Sequence, residues 1–368
     1  MEIKNSVNFL ENEFSGRKVL ITGNTGFKGS WLTFWLLLLG AKVAGYSNEE
    51  RTTPSLYEEL FLKDQIKQFI GEISDFSSLK TSIEEFRPDF IFHLAAQSIV
   101  STSIEAPLRT FQTNTMGTVA LLEAIRVSKY KGVAVLITSD KCYENDERET
   151  GYCESDVMGG KDPYSASKGA AEIAISAYLR TYFTEKNDVK VGIGRAGNVI
   201  GGGDWKENRI VVDCIKAWQA GKPVFLRNPK STRPWQHVLE PLSGYLQLAS
   251  HLSNGRIETG EAFNFGPRPG EVFTVNEIVQ KLAQSWPGCP GVEHSSSSQI
   301  SSASEAKLLS LNCEKAMSQL GWESKLEIVE CINLIADWYI AHGSNSDMQE
   351  ITAKQISHFQ SKIKKSNA

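Results

Sequence analysis

Two stretches carry side chains able to move a proton. They are Thr138-Ser139-Asp140-Lys141-Cys142-Tyr143 and, further on, Tyr164-Ser165-Ala166-Ser167-Lys168. Tyr164 and Lys168 are one helical turn apart, so on a helix they share a face, and an ammonium beside a phenol favours the phenolate. That spacing makes Tyr164 a base for a hydroxyl proton near neutral pH. Ser139, Asp140 and Lys141 add a hydroxyl, an acid and an amine directly after Val133-Ala134-Val135-Leu136-Ile137, an unbroken apolar run that reads as a strand buried on both faces. In open α/β sheets the chemistry gathers at that carboxyl edge. Taken alone, Tyr-x-x-x-Lys also describes two solvated side chains; its neighbours give it weight.

The elements that must hold these residues begin with the apolar strand Lys18 to Thr22. It runs into Gly23-Asn24-Thr25-Gly26-Phe27-Lys28-Gly29 and then an apolar helix from Ser30 to Leu39. Strand, glycine turn and helix cradle a dinucleotide pyrophosphate, because glycine lets the backbone approach the phosphates and the helix start offers free N–H groups. Gly23, Thr25, Gly26, Phe27 and Gly29 are the cofactor candidates here. A second strand, Lys42 to Tyr46, ends in Tyr46-Ser47-Asn48 with no acid for a ribose 2′-hydroxyl, which leaves NAD and NADP both open. A third, Gln68 to Ile70, leads to Glu72 and Ile73, placed to meet an adenine edge and face. The fourth, Asp89 to Leu94, ends in the small pair Ala95-Ala96, which lets a cofactor lie close to the backbone, with Gln97 and Ser98 beyond. His93, inside the apolar run, reads as a core histidine, and the apolar stripe of Leu108 to Val127, with Asn114 in its middle, as core or a subunit contact.

Strand and helix alternate from Arg17 to Arg195, the pattern of an α/β, Rossmann-type, doubly wound parallel sheet. The character then changes to a glycine-rich loop, Ala196 to Trp205, and to helical patterns at Arg209 to Ala220, Val238 to His251, Val275 to Trp286, Glu305 to Leu320 and Leu326 to His342. Glu293 to Ser304, with seven serines, reads as an exposed loop. The expected organisation is a dinucleotide-binding domain over 1–199 with a return segment near 238–265, a smaller, mixed C-terminal substrate domain over 200–345, and a tail over 346–368, with the site in the cleft between the domains. In 368 residues the net charge of −4 gives no basic field for nucleic acid, and Lys362, Lys364 and Lys365 read as a solvated terminus. The six cysteines lack Cys-x-x-Cys spacing and nearby histidine partners, so neither a metal site nor a disulfide framework is expected. Met1 to Phe14 has no apolar signal core, and Trp31 to Leu39 is too short to span a bilayer, so a cytoplasmic protein away from membranes is expected.

With Thr22-Gly-x-x-Gly-Phe-x-Gly29, Leu94-Ala-Ala96, Ser139-Asp140-Lys141 and Tyr164-x-x-x-Lys168 in this order, the chain resembles the extended short-chain dehydrogenase/reductase family acting on nucleotide sugars. Thr138 to Tyr143, Gly194 to Trp205 and Ser231 to Leu242 narrow the likeness to the group of 4,6-dehydratases that act on CDP-glucose. The resemblance implies NAD as cofactor, with Leu94, Ala95 and Ala96 against it. It implies Tyr164 taking the C4 hydroxyl proton beside Ser139, and Lys168 holding the nicotinamide ribose. It further implies Lys141 as base for C5–H, its neutral amine favoured by burial, Lys168 and the nicotinamide ring, and Asp140 as acid for the C6 hydroxyl, which requires a raised proton affinity. Asn198, Arg209 and Arg233 would hold the diphosphate, with Gln97 and Ser98 also at the substrate. Arg195, at a buried strand end, reads as structural. A homodimer, or a dimer of dimers, through Leu108 to Val127 and Ala166 to Thr181 is implied. A nucleotide-sugar epimerase or decarboxylase of the same fold is the competing reading, and a non-catalytic NAD-binding protein the one from another class.

Overall fold

The computed structural model describes residues 6–49, 51–148, 150–184, 188–226, 228–268, 270–294 and 308–365. Seven strands make the central sheet: β1 (Lys18–Thr22), β2 (Lys42–Ser47), β3 (Lys67–Ile70), β4 (Phe90–His93), β5 (Gly132–Ile137), β6 (Val189–Ala196) and β7 (Ala262–Phe265). All pair in parallel, in the spatial order β7-β6-β5-β4-β1-β2-β3. Six lie where the apolar runs place them, and β7 falls within the expected return segment. The chain builds outward from β1 to β3 and then returns to set β4 beside β1, with Thr22 opposite His93. A crevice opens at the carboxyl ends where the strand order reverses.

The helix Phe27–Leu38 is apolar on nearly every side because it is sandwiched between the sheet and other helices, among them Leu239–Ser253 and Met348–Lys365. On that face one apolar core continues from Phe14 through Trp31 and Trp35 into Trp322, Trp338 and Phe359. The opposite face has its own core around Leu79, Leu121, Leu122 and Ile175. The C-terminal part adds short ladders: Val199–Ile200 with Gln236–His237, Thr232–Arg233 with Phe273–Thr274, and Val224–Leu226 with Val292–His294.

Three expectations change. Residues 348–365 are a helix, not a tail; Ile356 and Phe359 are fully buried, and Lys362 pairs with Glu330 at 2.7 Å. The side chains of Lys364 and Lys365 lie outside the described residues. The helix expected over 305–320 is reduced, within the described residues, to a short helical segment at 314–320, π-type over Ala316–Leu320. Ahead of it the chain runs extended, Leu311 bridging Tyr152, because the Asn312 carbonyl accepts from buried Asn264 and this tertiary partner replaces a helical one. Of the serine-rich loop, Val292–His294 is a strand and residues 295–307 lie outside the described part.

The glycine-rich loop after β6 is clamped from both sides. Trp31 Nε1 donates to the Gly202 carbonyl at 2.9 Å and Tyr339 Oη to the Asp204 carbonyl at 2.6 Å. A Cβ on Gly202 would stand 2.0 Å from the Trp338 ring, so only glycine lets the helix Ile328–Gly343 approach this loop. Among the described residues no helix is long and apolar enough to cross a membrane, and all six cysteines are free.

Candidate active site

A cavity of about 640 Å³ opens at the carboxyl edge of the sheet. Gly23, Thr25, Gly26, Phe27 and Gly29 line it from the turn after β1, Glu72 and Ile73 from the loop after β3, and Leu94, Ala95, Ala96, Gln97 and Ser98 from the segment after β4. Tyr164, Lys168 and Arg209 close the other side. The turn fits a pyrophosphate. Gly23 has φ +73°, a Cβ there would meet the Ala95 backbone at 2.7 Å, and one on Gly29 would lie 2.1 Å from the Gly23 carbonyl. Gly26 starts the helix Phe27–Leu38 without a side-chain cap, which leaves the first-turn N–H groups for an anion. The cavity wall thus fits an extended dinucleotide.

Tyr164 and Lys168 stand on the helix Pro163–Thr181, started by Pro163 in its first turn and by Asp162, whose carboxylate accepts from Ser165 N at 3.0 Å. Asn114, in the π-type turn Gln112–Met116, ties this helix to the cavity floor: its amide donates to Ser167 Oγ at 2.9 Å and to the Gln97 carbonyl at 3.0 Å, and accepts from Gln97 N at 2.8 Å. Asn114 is therefore a positioning residue, signalled in the sequence only as an amide inside an apolar stripe. Ser139 and Asp140 are buried, with Ser139 Oγ donating to Asp140 Oδ1 at 2.9 Å, and Lys141 is half-buried. Behind them Thr138 Oγ1 donates to Glu172 at 2.5 Å, and Glu172 takes two bonds from Arg195, at 2.8 and 2.9 Å. Arg195 also donates to Tyr143 Oη at 2.8 Å, so it is a buried brace for the 138–143 turn, in keeping with the structural role expected for it.

The electrostatics of Tyr164 differ from the expectation. Burial pushes its phenol up to about 12; the Ser139 hydrogen bond and Arg209 oppose this, and Asp140 adds to it. Desolvation outweighs the charges around it, and the cation that opposes the rise is Arg209, far away in sequence. Burial also lowers Lys168 to about 8, against the nearby Cys142 and Glu172. Asp140 is pushed up by burial, against Lys141, Ser139, Lys28 and Arg233, and that is the direction an acid needs. A residue not foreseen, Lys28, lines the same cavity; burial, then Arg209 and Lys168, lower its amine to about 7. Its only sequence signal is a cation inside the glycine turn.

The remaining candidates separate. Arg209 reaches the cavity, paired with Asp204 at 2.5 Å and donating to Ser98 Oγ at 3.1 Å. Gln97 lines the cavity, but its side chain is engaged by the protein itself, donating to the Ile99 carbonyl at 2.9 Å and to Thr110 Oγ1 at 3.1 Å and accepting from Ile99 N at 2.5 Å. Arg233 is buried beside the Asp140 carboxyl, and the Asn198 carbonyl accepts from Gln236 N at 3.1 Å; neither lines the cavity, nor does Lys141. His93 is a core residue, Nδ1 2.7 Å from Thr22 Oγ1 and Nε2 3.1 Å from Thr118 Oγ1, and burial lowers it to about 3, a neutral ring.

Residues 20–335 match the family model described as GDP-mannose 4,6 dehydratase. The chain is 44% identical over 361 residues to CDP-glucose 4,6-dehydratase of Salmonella typhimurium, covering 95% of this chain and 98% of that one. It is 27% identical to a dTDP-glucose 4,6-dehydratase of Xanthomonas campestris pv. campestris, over 88% of this chain and 93% of that one. Among solved structures it is similar to the UDP-glucose 4-epimerase of Thermus thermophilus in complex with NAD, with 26% identity, a TM-score of 0.74, and coverage of 88% and 99%.

Proposed function

The chain belongs to the GDP-mannose 4,6-dehydratase family within the extended short-chain dehydrogenases/reductases, and on that premise we propose that it is a hydro-lyase converting CDP-D-glucose to CDP-4-keto-6-deoxy-D-glucose with NAD. The carrying observation is the 44% identity, over nearly the whole length of both chains, to a CDP-glucose 4,6-dehydratase. The NAD complex of the Thermus epimerase and the glycine turn that fits a pyrophosphate support the cofactor.

Bound NAD supplies a hydride acceptor and later a hydride donor. Tyr164 takes the C4 hydroxyl proton, with Ser139 sharing the hydrogen bond, and Lys168 holds the nicotinamide ribose. The 4-ketone makes C5–H acidic; Lys141 removes that proton, and Asp140 gives one to the departing C6 hydroxyl. The upward push on Asp140 supports its role as the acid. Arg209, with Asn198 and Arg233, holds the diphosphate, for which the guanidinium fork is suited, and Gln97 and Ser98 border the sugar. The dinucleotide is bound by 1–199 and the return segment, the nucleotide sugar by 200–345.

The protein pairs as a homodimer through the helices around Leu108 to Val127 and Ala166 to Thr181. Exposed Leu108 (71%), Met116 (52%) and Ile173 (63%) support that face. It works in the cytoplasm, in deoxysugar synthesis for a lipopolysaccharide O-antigen. The test is mass spectrometry of CDP-glucose, dTDP-glucose, GDP-mannose and UDP-glucose, each incubated with enzyme and NAD in deuterated water. Loss of one water from CDP-glucose alone, with one deuterium at C5, is expected. An unchanged mass with an altered sugar configuration means an epimerase, which has no elimination for Asp140 and Lys141 to assist.

A further inference from the structure

Resting on the dehydratase reading above, we infer that Lys28 is the proton carrier between the cavity and Asp140, restoring to that carboxyl the proton it loses in each elimination. The proton balance of the reaction calls for such a group. One proton leaves the C4 hydroxyl for Tyr164, and one leaves C5 for Lys141, which later returns it to C5. A third goes from Asp140 to the departing hydroxide. Each turnover therefore ends with a proton gained at Tyr164 and one missing at Asp140, and the acid must be reloaded before it acts again.

Asp140 is 2% exposed and does not line the cavity. Its Oδ1 accepts from Ser139, and its buried Oδ2 has no hydrogen-bond partner, which leaves Oδ2 to take the proton. Three cations bear on this carboxyl, Lys141, Lys28 and Arg233, and of these only Lys28 lines the cavity. An arginine does not give up its proton. Little holds the proton of Lys28 in place. The residue stands in the first turn of the helix Phe27–Leu38, where the helix dipole disfavours a cation, and Arg209 and Lys168 act on it from two other elements. Among the described residues its amine has no hydrogen bond or ion pair; the ring of Tyr245 lies 6.0 Å away, and Asp140 is the one carboxyl that favours its charge. Burial lowers the amine and raises the carboxyl, so the two proton affinities are drawn together. The two groups form no direct ion pair, so the proton passes from Lys28 Nζ to Asp140 Oδ2 over one intervening water, and Lys28 regains a proton from solvent through the open cavity.

The experiment compares CDP-glucose with its 6-deoxy-6-fluoro analogue, whose fluoride leaves without taking up a proton, in the NAD-loaded wild type, Lys28→Met and Lys28→Arg. In the wild type, kcat for CDP-glucose should fall on an alkaline limb that the fluoro sugar does not show, because Lys28 there has no proton to give. Both variants should lower kcat for CDP-glucose by roughly tenfold or more and for the fluoro sugar by less than about threefold, with KM and the NAD+ Kd little changed. Recovery by Lys28→Arg, which keeps the charge without a transferable proton, overturns the inference. So does equal loss with both sugars, or a wild-type limb common to both. A wild type that eliminates from neither sugar overturns the dehydratase reading itself.

Discussion

Glu240 carries the most quantitative prediction. It is 1% exposed, and its Oε1 accepts from the Lys325 and Leu326 amides at 2.8 and 2.7 Å, joining the helix Leu239–Ser253 to the segment before Ile328–Gly343. Burial raises it from 4.5 to about 7, and those amides oppose the rise only in part. A carboxyl that binds its proton more tightly when folded contributes stability that is complete below the unfolded value and is lost as pH climbs through the folded one. At roughly 1.4 kcal/mol per tenfold in proton affinity the loss totals about 3 kcal/mol, most of it between pH 5 and pH 8. Glu240→Gln keeps the acceptor and removes the charge; its amide in place of Oε2 costs a pH-independent increment of about 1–3 kcal/mol. Urea unfolding of both proteins across that range should show the wild type losing about 2–3 kcal/mol relative to the variant. Comparing the pair cancels buried His93 and His237, both lowered to about 3, whose contribution runs in the opposite direction. Parallel stability curves from pH 5 to pH 8 would refute the reasoning.

Glu172→Ala strands the Arg195 guanidinium in the interior and should cost about 3–5 kcal/mol, while Glu172→Leu with Arg195→Met recovers most of it; a double-mutant cycle with no coupling between the two sites overturns the brace. Tyr164→Phe should lower kcat by about 10²- to 10⁴-fold with circular dichroism unchanged; near-normal turnover removes Tyr164 from proton transfer. Lys141→Ala should abolish exchange of C5–H with solvent from a supplied 4-keto sugar, and exchange at the normal rate assigns the base elsewhere. Leu108→Glu with Ile173→Glu should give a monomer in sedimentation equilibrium; an unchanged dimer moves the interface to another surface.

Local patterns carried much of this protein. Buried parallel strands must be apolar along their whole length, so β1 to β6 stand out as runs such as Val133 to Ile137, and the pyrophosphate turn is legible because its glycines answer to backbone sterics within seven residues. Tyr164, Lys168 and the Ser139-Asp140-Lys141 turn were readable because strand ends and helix faces have fixed periods. The sequence also determined the family, since its motifs recur in order. What tertiary structure alone decided are the quantities that depend on distance and solvent. Residues 308–313 run extended because Asn264 offers the Asn312 carbonyl a partner, and 348–365 pack as a helix because Trp35 and the core of the other helices bury Phe359. Gln97 spends its amide on Ile99 and Thr110, and Lys28 and Arg209 come to the one cavity from elements far apart in sequence, Arg209 acting on both Lys28 and Tyr164. Charge interaction falls with separation and burial acts on whatever the fold encloses, and no one-dimensional spacing encodes either.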